Sequence, residues 1–217
     1  MRFTIYDLYS FSIAIAAIIA IVRYKRIYPG FRPFLFMCWA ALATETICYF
    51  LIYQRNYTFI PYGIYSVVEG LLITWLFREL GVFGRRPYLF TLLIVFYLLA
   101  WLTEIIFFEG MNRNMTWFRL LHSFITVLLS ILLLGKELSV QRTFLLKSPV
   151  FLICTGLLLY NTIVVIAGVF DLYEYGGNII FRRQVQAIMI YMNLIVNLIY
   201  AVAVLCMPRR LRYSLPY

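Results

Sequence analysis

Five ionisable side chains lie inside long apolar stretches of this sequence: Glu45, Glu69, Glu104, Arg119 and His122. Keeping an ionisable group at mid-bilayer costs about 2.5–3.5 kcal/mol on insertion scales, so each is a candidate for ligand binding or proton-linked chemistry. Three amides, Asn161, Asn193 and Asn197, extend the set. Gln186, Asn193, Asn197 and Tyr200 follow one another at heptad-like spacing along one helical face, and Tyr62, Tyr65, Ser66 and Glu69 stack on one side of another helix. The natural construction from such faces is a polar cavity walled by tyrosines, with Asn193 or Asn197 as the expected partner of the acidic pair.

Other chemistries find less support. Three carboxylates and one histidine could hold a divalent ion if they converged, but no HxxxH, HExxH or ExxH spacing occurs. Ser123 neighbours His122, yet adjacent helical residues do not face each other, so no nucleophile–base pair is suggested. Cys38, Cys48, Cys154 and Cys206 form no CxxC pair and read as small buried hydrophobes. No cofactor and no metal is expected. A purely structural role also stands for several polar groups. Interhelical hydrogen bonds are worth about 0.6–2 kcal/mol, which accounts for the asparagines more readily than for Glu45 and Glu69. Glu104 and Arg119 could form an ion pair near the interface, and His122 could be a hydrogen-bonded packing residue.

The elements that must position these groups are transmembrane helices. Of the 217 residues, 64% are hydrophobic and 13% charged, about half the charged share of a soluble domain. A water-soluble fold of this size could not bury that apolar surface. Seven stretches approach the roughly 20 apolar residues a span requires: about Ile5–Val22, Phe34–Tyr53, Tyr62–Phe77, Tyr88–Phe108, Met115–Leu134, Val150–Phe170 and Val185–Met207. The expected fold is an all-α seven-transmembrane-helix bundle forming one domain over residues 1–217. The first stretch runs into RYKR, a stop-transfer pattern rather than a cleavage site. Asp7 lies near its start, and Ser12, Ala16 and Ala20 mark a close-packing helix face on it.

Thirteen of the 19 lysines and arginines fall on one side: Arg23 to Arg32, Arg78 to Arg86, Lys136 to Lys147 and the RRLRYSLPY tail. The positive-inside rule makes that side cytoplasmic, with the N-terminus out and the C-terminus in. The net charge of +10 is then an anchor for anionic headgroups, and nucleic acid is not an expected partner. Aromatics, among them Tyr6, Tyr9, Tyr57, Trp117, Tyr173 and Tyr175, crowd the other side as an interfacial belt. RPFLFMC opens the second stretch and SPVFLIC the sixth, and the same offset places Glu45 on Asn161. This hints at a parallel repeat of helices one to three and five to seven about a lone fourth, an arrangement found in some transporters.

VRYKRI closing the first helix, ATETICYFL on the second and YGIYSVVEGLLITWLF on the third occur in order, followed by SPVFLICTGLLLY and MIYMNLIVNLIYAVAVLCM. In these, over nearly its whole length, the chain resembles small, uncharacterised seven-helix membrane proteins of Gram-negative bacteria, often encoded beside sensor histidine kinases. The resemblance implies an inner-membrane location, a signalling role and acidic residues at Glu45 and Glu69, and supplies no catalytic residue. The last helix has no lysine to hold retinal. The expected function is therefore a non-enzymatic sensory or signalling-accessory protein. Its partners would be the lipid bilayer, a small or lipid-like ligand, and a cytoplasmic or membrane partner such as a histidine kinase docking on the basic loops. The alternatives are a small-molecule or ion transporter and, third, a lipid-modifying membrane enzyme.

Overall fold

A computed structural model describes residues 9, 11–53, 59–84, 86–107, 116–140, 147–172 and 179–208. Asp7, Tyr6, Tyr57, Tyr173, Tyr175 and the RRLRYSLPY tail lie outside the described residues. Among the described residues there are seven α-helices: α1 (Ile13–Arg23), α2 (Arg32–Tyr53), α3 (Phe59–Glu79), α4 (Tyr88–Phe107), α5 (Thr116–Val140), α6 (Pro149–Leu172) and α7 (Ile179–Cys206). Two short 3₁₀ turns, Tyr24–Arg26 and Pro29–Phe31, join α1 to α2.

Six of the helices, α2 to α7, are long and apolar enough to cross a membrane. The third stretch, short when read from hydropathy, proves to be a 21-residue helix because Glu69 lies on its interior face. The described part of α1 has 11 residues, which at 1.5 Å per residue is roughly half the thickness of a bilayer core.

Local signals set the helix ends. Pro149 opens α6 at the first helical position, where its missing N–H has no partner to lose. Ser148 just before it accepts the Phe151 N–H at 3.4 Å and donates to Glu137 at 2.6 Å. Gly81 ends α3 with φ +73°. The Gly81 N–H reaches Arg78 O and the Val82 N–H reaches Phe77 O, each at 3.0 Å, which is the paired closure of a Schellman turn.

The helices form a closed ring in which α1 packs on α2, α2 on α3, α3 on α5, α5 on α6, α6 on α7 and α7 on α1. Helix α4 lies outside it, against α3 and α5, and only 11% of its apolar window is buried. The order of packing is the same in α1–α2–α3 and α5–α6–α7, and the two triplets meet twice, through α3·α5 and α7·α1. Helix α4 lies between the two triplets in the chain.

One half of the ring is solid. Phe34, Leu35 and Cys38 from the start of α2, Leu76 and Phe77 from the end of α3, Ile153, Cys154 and Leu157 from the start of α6, and Val204 from the end of α7 share one buried apolar cluster. Ala16, Ala17 and Ala20 of α1 are fully buried in the same cluster with Ala203 of α7. Small side chains here let the α1 and α7 backbones approach closely.

Candidate functional site

The other half of the ring encloses a cavity of about 120 Å³ lined by all six ring helices and by no residue of α4. Helix α1 contributes Ile13; α2 contributes Met37, Ala41, Thr44 and Glu45; α3 contributes Tyr62, Tyr65, Ser66 and Glu69. Across from them stand Arg119, His122 and Ser123 of α5, Tyr160, Asn161 and Val164 of α6, and Asn193, Val196, Asn197 and Tyr200 of α7. Drug-sized ligands occupy about 300–1,000 Å³, so a resident molecule here would be small.

Both carboxylates face this space, each beside a tyrosine of α3. Tyr62 donates its hydroxyl to Glu45 Oε2 at 3.3 Å, and Tyr65 stands beside Glu69, one turn away on the same helix. Glu69 Oε2 also stands 3.8 Å from His122 Nε2. Arg119, exposed at the rim, interacts electrostatically with Glu69.

His122 is held from behind. It is 1% exposed, and its ring packs edge-on against Tyr97 at 5.7 Å between centroids and beside Phe118 at 6.2 Å. Its Nδ1 is 3.1 Å from Thr126 Oγ1, one turn further along α5. The Tyr97 hydroxyl lies beside Thr126 and Thr74, and Thr74 donates to Gly70 O at 2.7 Å. With Nδ1 engaged, Nε2 is the nitrogen turned to the cavity, where it has no hydrogen-bond partner. An unpartnered polar atom at a cavity wall is a point of attachment for a bound molecule or an ordered water.

The amides divide. Asn193 lines the cavity. Asn197 donates to Ser12 Oγ at 2.8 Å, tying α7 to the start of α1. Asn161 donates to Leu157 O at 2.9 Å in its own helix. The partner of Glu45 is thus a tyrosine, and Asn197, expected as the partner of the acidic pair, is turned to Ser12. Two of the three amides are engaged by partners in their own helix or on α1, which leaves the α3 tyrosines beside the carboxylates.

Glu104 has a different place. Its carboxylate accepts the backbone N–H of Trp117 at 3.1 Å and of Phe118 at 2.6 Å. These N–H groups lie in the first turn of α5, which offers them no acceptor within the helix and where a negative charge also complements the helix dipole. Glu104 therefore fastens α4 to the start of α5, directly before Arg119 and one turn before His122, and does not line the cavity. Glu104→Ala should lower stability by about 1–3 kcal/mol, since two N–H groups lose their acceptor. Glu104→Gln keeps one carbonyl oxygen and should lose less. Thermal unfolding in detergent checks both, and two variants indistinguishable from wild type would remove this role.

Among the described residues, no group of three His, Cys, Asp or Glu side chains is placed to hold a metal ion. Ser123 lines the cavity beside His122 but follows it directly in the helix, and the histidine's nearer bond runs to Thr126. Among the groups that build the site, Tyr160, Thr126 and Tyr97 are not marked by the sequence patterns above. Tyr160 adjoins Asn161 in the chain, so it was within reach. Thr126 is four residues after His122 and shares its face. Tyr97 belongs to α4, and nothing in the chain order shows that its ring lies behind His122.

No protein-family model, no curated protein and no solved structure matches this chain.

Proposed function

We propose that the chain is an integral membrane binding protein of the sensory or signalling-accessory kind. It would be a seven-helix bundle with the N-terminus outside and the C-terminus in the cytoplasm of a bacterial inner membrane. One observation carries the reading: a polar cavity fills the half of the ring away from the basic loops, while the half beside those loops is packed with apolar side chains. With the basic loops inside, the cavity faces outward and is closed to the cytoplasm, as a receptor requires.

Glu45 and Glu69 offer acceptors on one wall, Arg119 and His122 Nε2 face them from another, and four tyrosines supply flat apolar walls with hydroxyl tips. Such a cavity suits a small polar solute whose hydrogen-bonding groups are distributed over several sides. A ligand that draws the six helices together would change the packing at the basic face, where a cytoplasmic or membrane partner such as a histidine kinase would read it.

Ligand-dependent thermal stabilisation of the purified protein tests the reading. A panel of amines, carboxylates, zwitterions and polyols at millimolar concentration should contain a stabilising compound. A compound at 100 times its dissociation constant stabilises by about 2.7 kcal/mol, and that gain should vanish in His122→Phe. Stabilisation that persists unchanged in His122→Phe and in Glu69→Gln would place binding elsewhere.

A further inference from the structure

Two basic side chains close the ring at its packed end, one at each seam between the two triplets. Arg23, in the last turn of α1, donates from Nη1 to Val204 O at 2.9 Å and from Nη2 to Met207 O at 3.4 Å, and also bonds Leu205 O. Val204 and Leu205 lie in the last turn of α7, and Met207 follows its end. Lys136, near the end of α5, donates to Gly81 O at 2.9 Å, just beyond the end of α3. Helices α1 and α5 each open a three-helix unit; α7 and α3 each close the other unit. Both contacts join a cation to a helix C-terminus, where the dipole favours it, and together they span the two seams between the units.

The cavity shows the same correspondence. Tyr62, Tyr65, Ser66 and Glu69 of α3 line it at the same spacing as Asn193, Val196, Asn197 and Tyr200 of α7. Thr44 and Glu45 of α2 match Tyr160 and Asn161 of α6 at the offset that aligns Cys38 with Cys154.

We propose that α1–α2–α3 and α5–α6–α7 are two parallel repeats that rock about the cavity, and that the Arg23 and Lys136 contacts are the latches of a closed gate on the basic side. Opening both seams would expose the cavity to the basic face and release its solute there, so the protein would transport and not only bind. This rests on the cavity being a ligand site, as proposed above, but its test needs no ligand. Gates formed where repeats meet around a central site are the general basis of alternating access.

Cys38 and Cys154 report the opening. They are 0% and 1% exposed, on α2 and α6, in the packed half between cavity and basic face. In a Cys48→Ser, Cys206→Ser background, a charged methanethiosulfonate that does not cross membranes is applied to sealed vesicles of either orientation. An open state populated at about 0.1–10% should let the reagent modify both cysteines from the basic face, about 10- to 1,000-fold more slowly than an exposed thiol. Arg23→Gln and Lys136→Gln, each on a different seam, should accelerate the modification about tenfold or more, with mass spectrometry resolving the two sites. Protection of both cysteines in wild type and in both latch variants would overturn the proposal, whatever the ligand screen finds. So would modification at equal rates from both faces, which signifies unfolding.

Discussion

Glu69→Leu should destabilise the purified protein by about 2–4 kcal/mol, whereas Glu69→Gln should cost no more than about 1 kcal/mol. The carboxylate lies beside the Tyr65 hydroxyl, balances Arg119 and stands 3.8 Å from His122 Nε2. Leucine leaves each of these facing a hydrocarbon side chain, and a buried donor without an acceptor costs about 1–3 kcal/mol. Glutamine keeps the length of the side chain and an oxygen for Tyr65. One effect opposes the loss: removing a carboxylate from a poorly solvated bundle relieves its desolvation. The cavity's polar lining decides the balance, because Tyr65, Arg119 and the polar side chains across the cavity leave Glu69 in polar rather than hydrocarbon surroundings. Thermal unfolding of the three forms in one detergent gives the answer. A leucine variant as stable as wild type, or more stable, would show that relief of desolvation wins and that Glu69 has no partner worth keeping. Read beside the ligand screen, Glu69→Gln then separates structure from function, since it should fold normally and still bind more weakly.

How much of this was legible in the chain differs from residue to residue. Ser12, Ala16 and Ala20 stood out as a packing face by spacing alone, and they lie buried in the ring, with Ser12 bonded to Asn197 of α7. The α3 face of Tyr62, Tyr65, Ser66 and Glu69 was legible for the same reason, since helical periodicity fixes which side chains share a side. All four line the cavity. Periodicity does not say which helix stands opposite. That is why Glu104, grouped with the cavity by its depth, instead holds the first N–H groups of α5. The support behind His122 was hidden likewise, because it joins α3, α4 and α5 through Thr74, Tyr97 and Thr126. The offset between the second and sixth stretches rested on a few residues in apolar sequence. Its structural meaning came from the order of helix packing and from the paired Arg23 and Lys136 contacts, neither of which follows from residue identity.

Ala16→Leu should be the most disruptive single change in α1, lowering stability by about 3 kcal/mol. Ala16 is fully buried in the cluster that includes Ala203 of α7, and both residues are the smallest that still carry a side chain. Three added carbons have no cavity to enter, because the space inside the ring lies at the level of Ile13 and beyond. They must therefore push α1 away from α7. Overpacking of a filled interface costs about 1–3 kcal/mol and occasionally more, and here the displacement strains two further contacts on the same seam. Asn197 would be drawn from Ser12, now 2.8 Å away, and Arg23 from the carbonyls of Val204 and Met207. Ile18→Leu on the same helix is the matched control: Ile18 is 58% exposed, points away from the seam and should change stability by less than about 0.5 kcal/mol. Thermal unfolding of the two variants, with Cys38 and Cys154 modification followed in parallel, shows whether the α1·α7 seam is as tight as its alanines imply. If Ala16→Leu matched Ile18→Leu in both measurements, α1 would be a loosely attached helix and could not serve as one side of a gate.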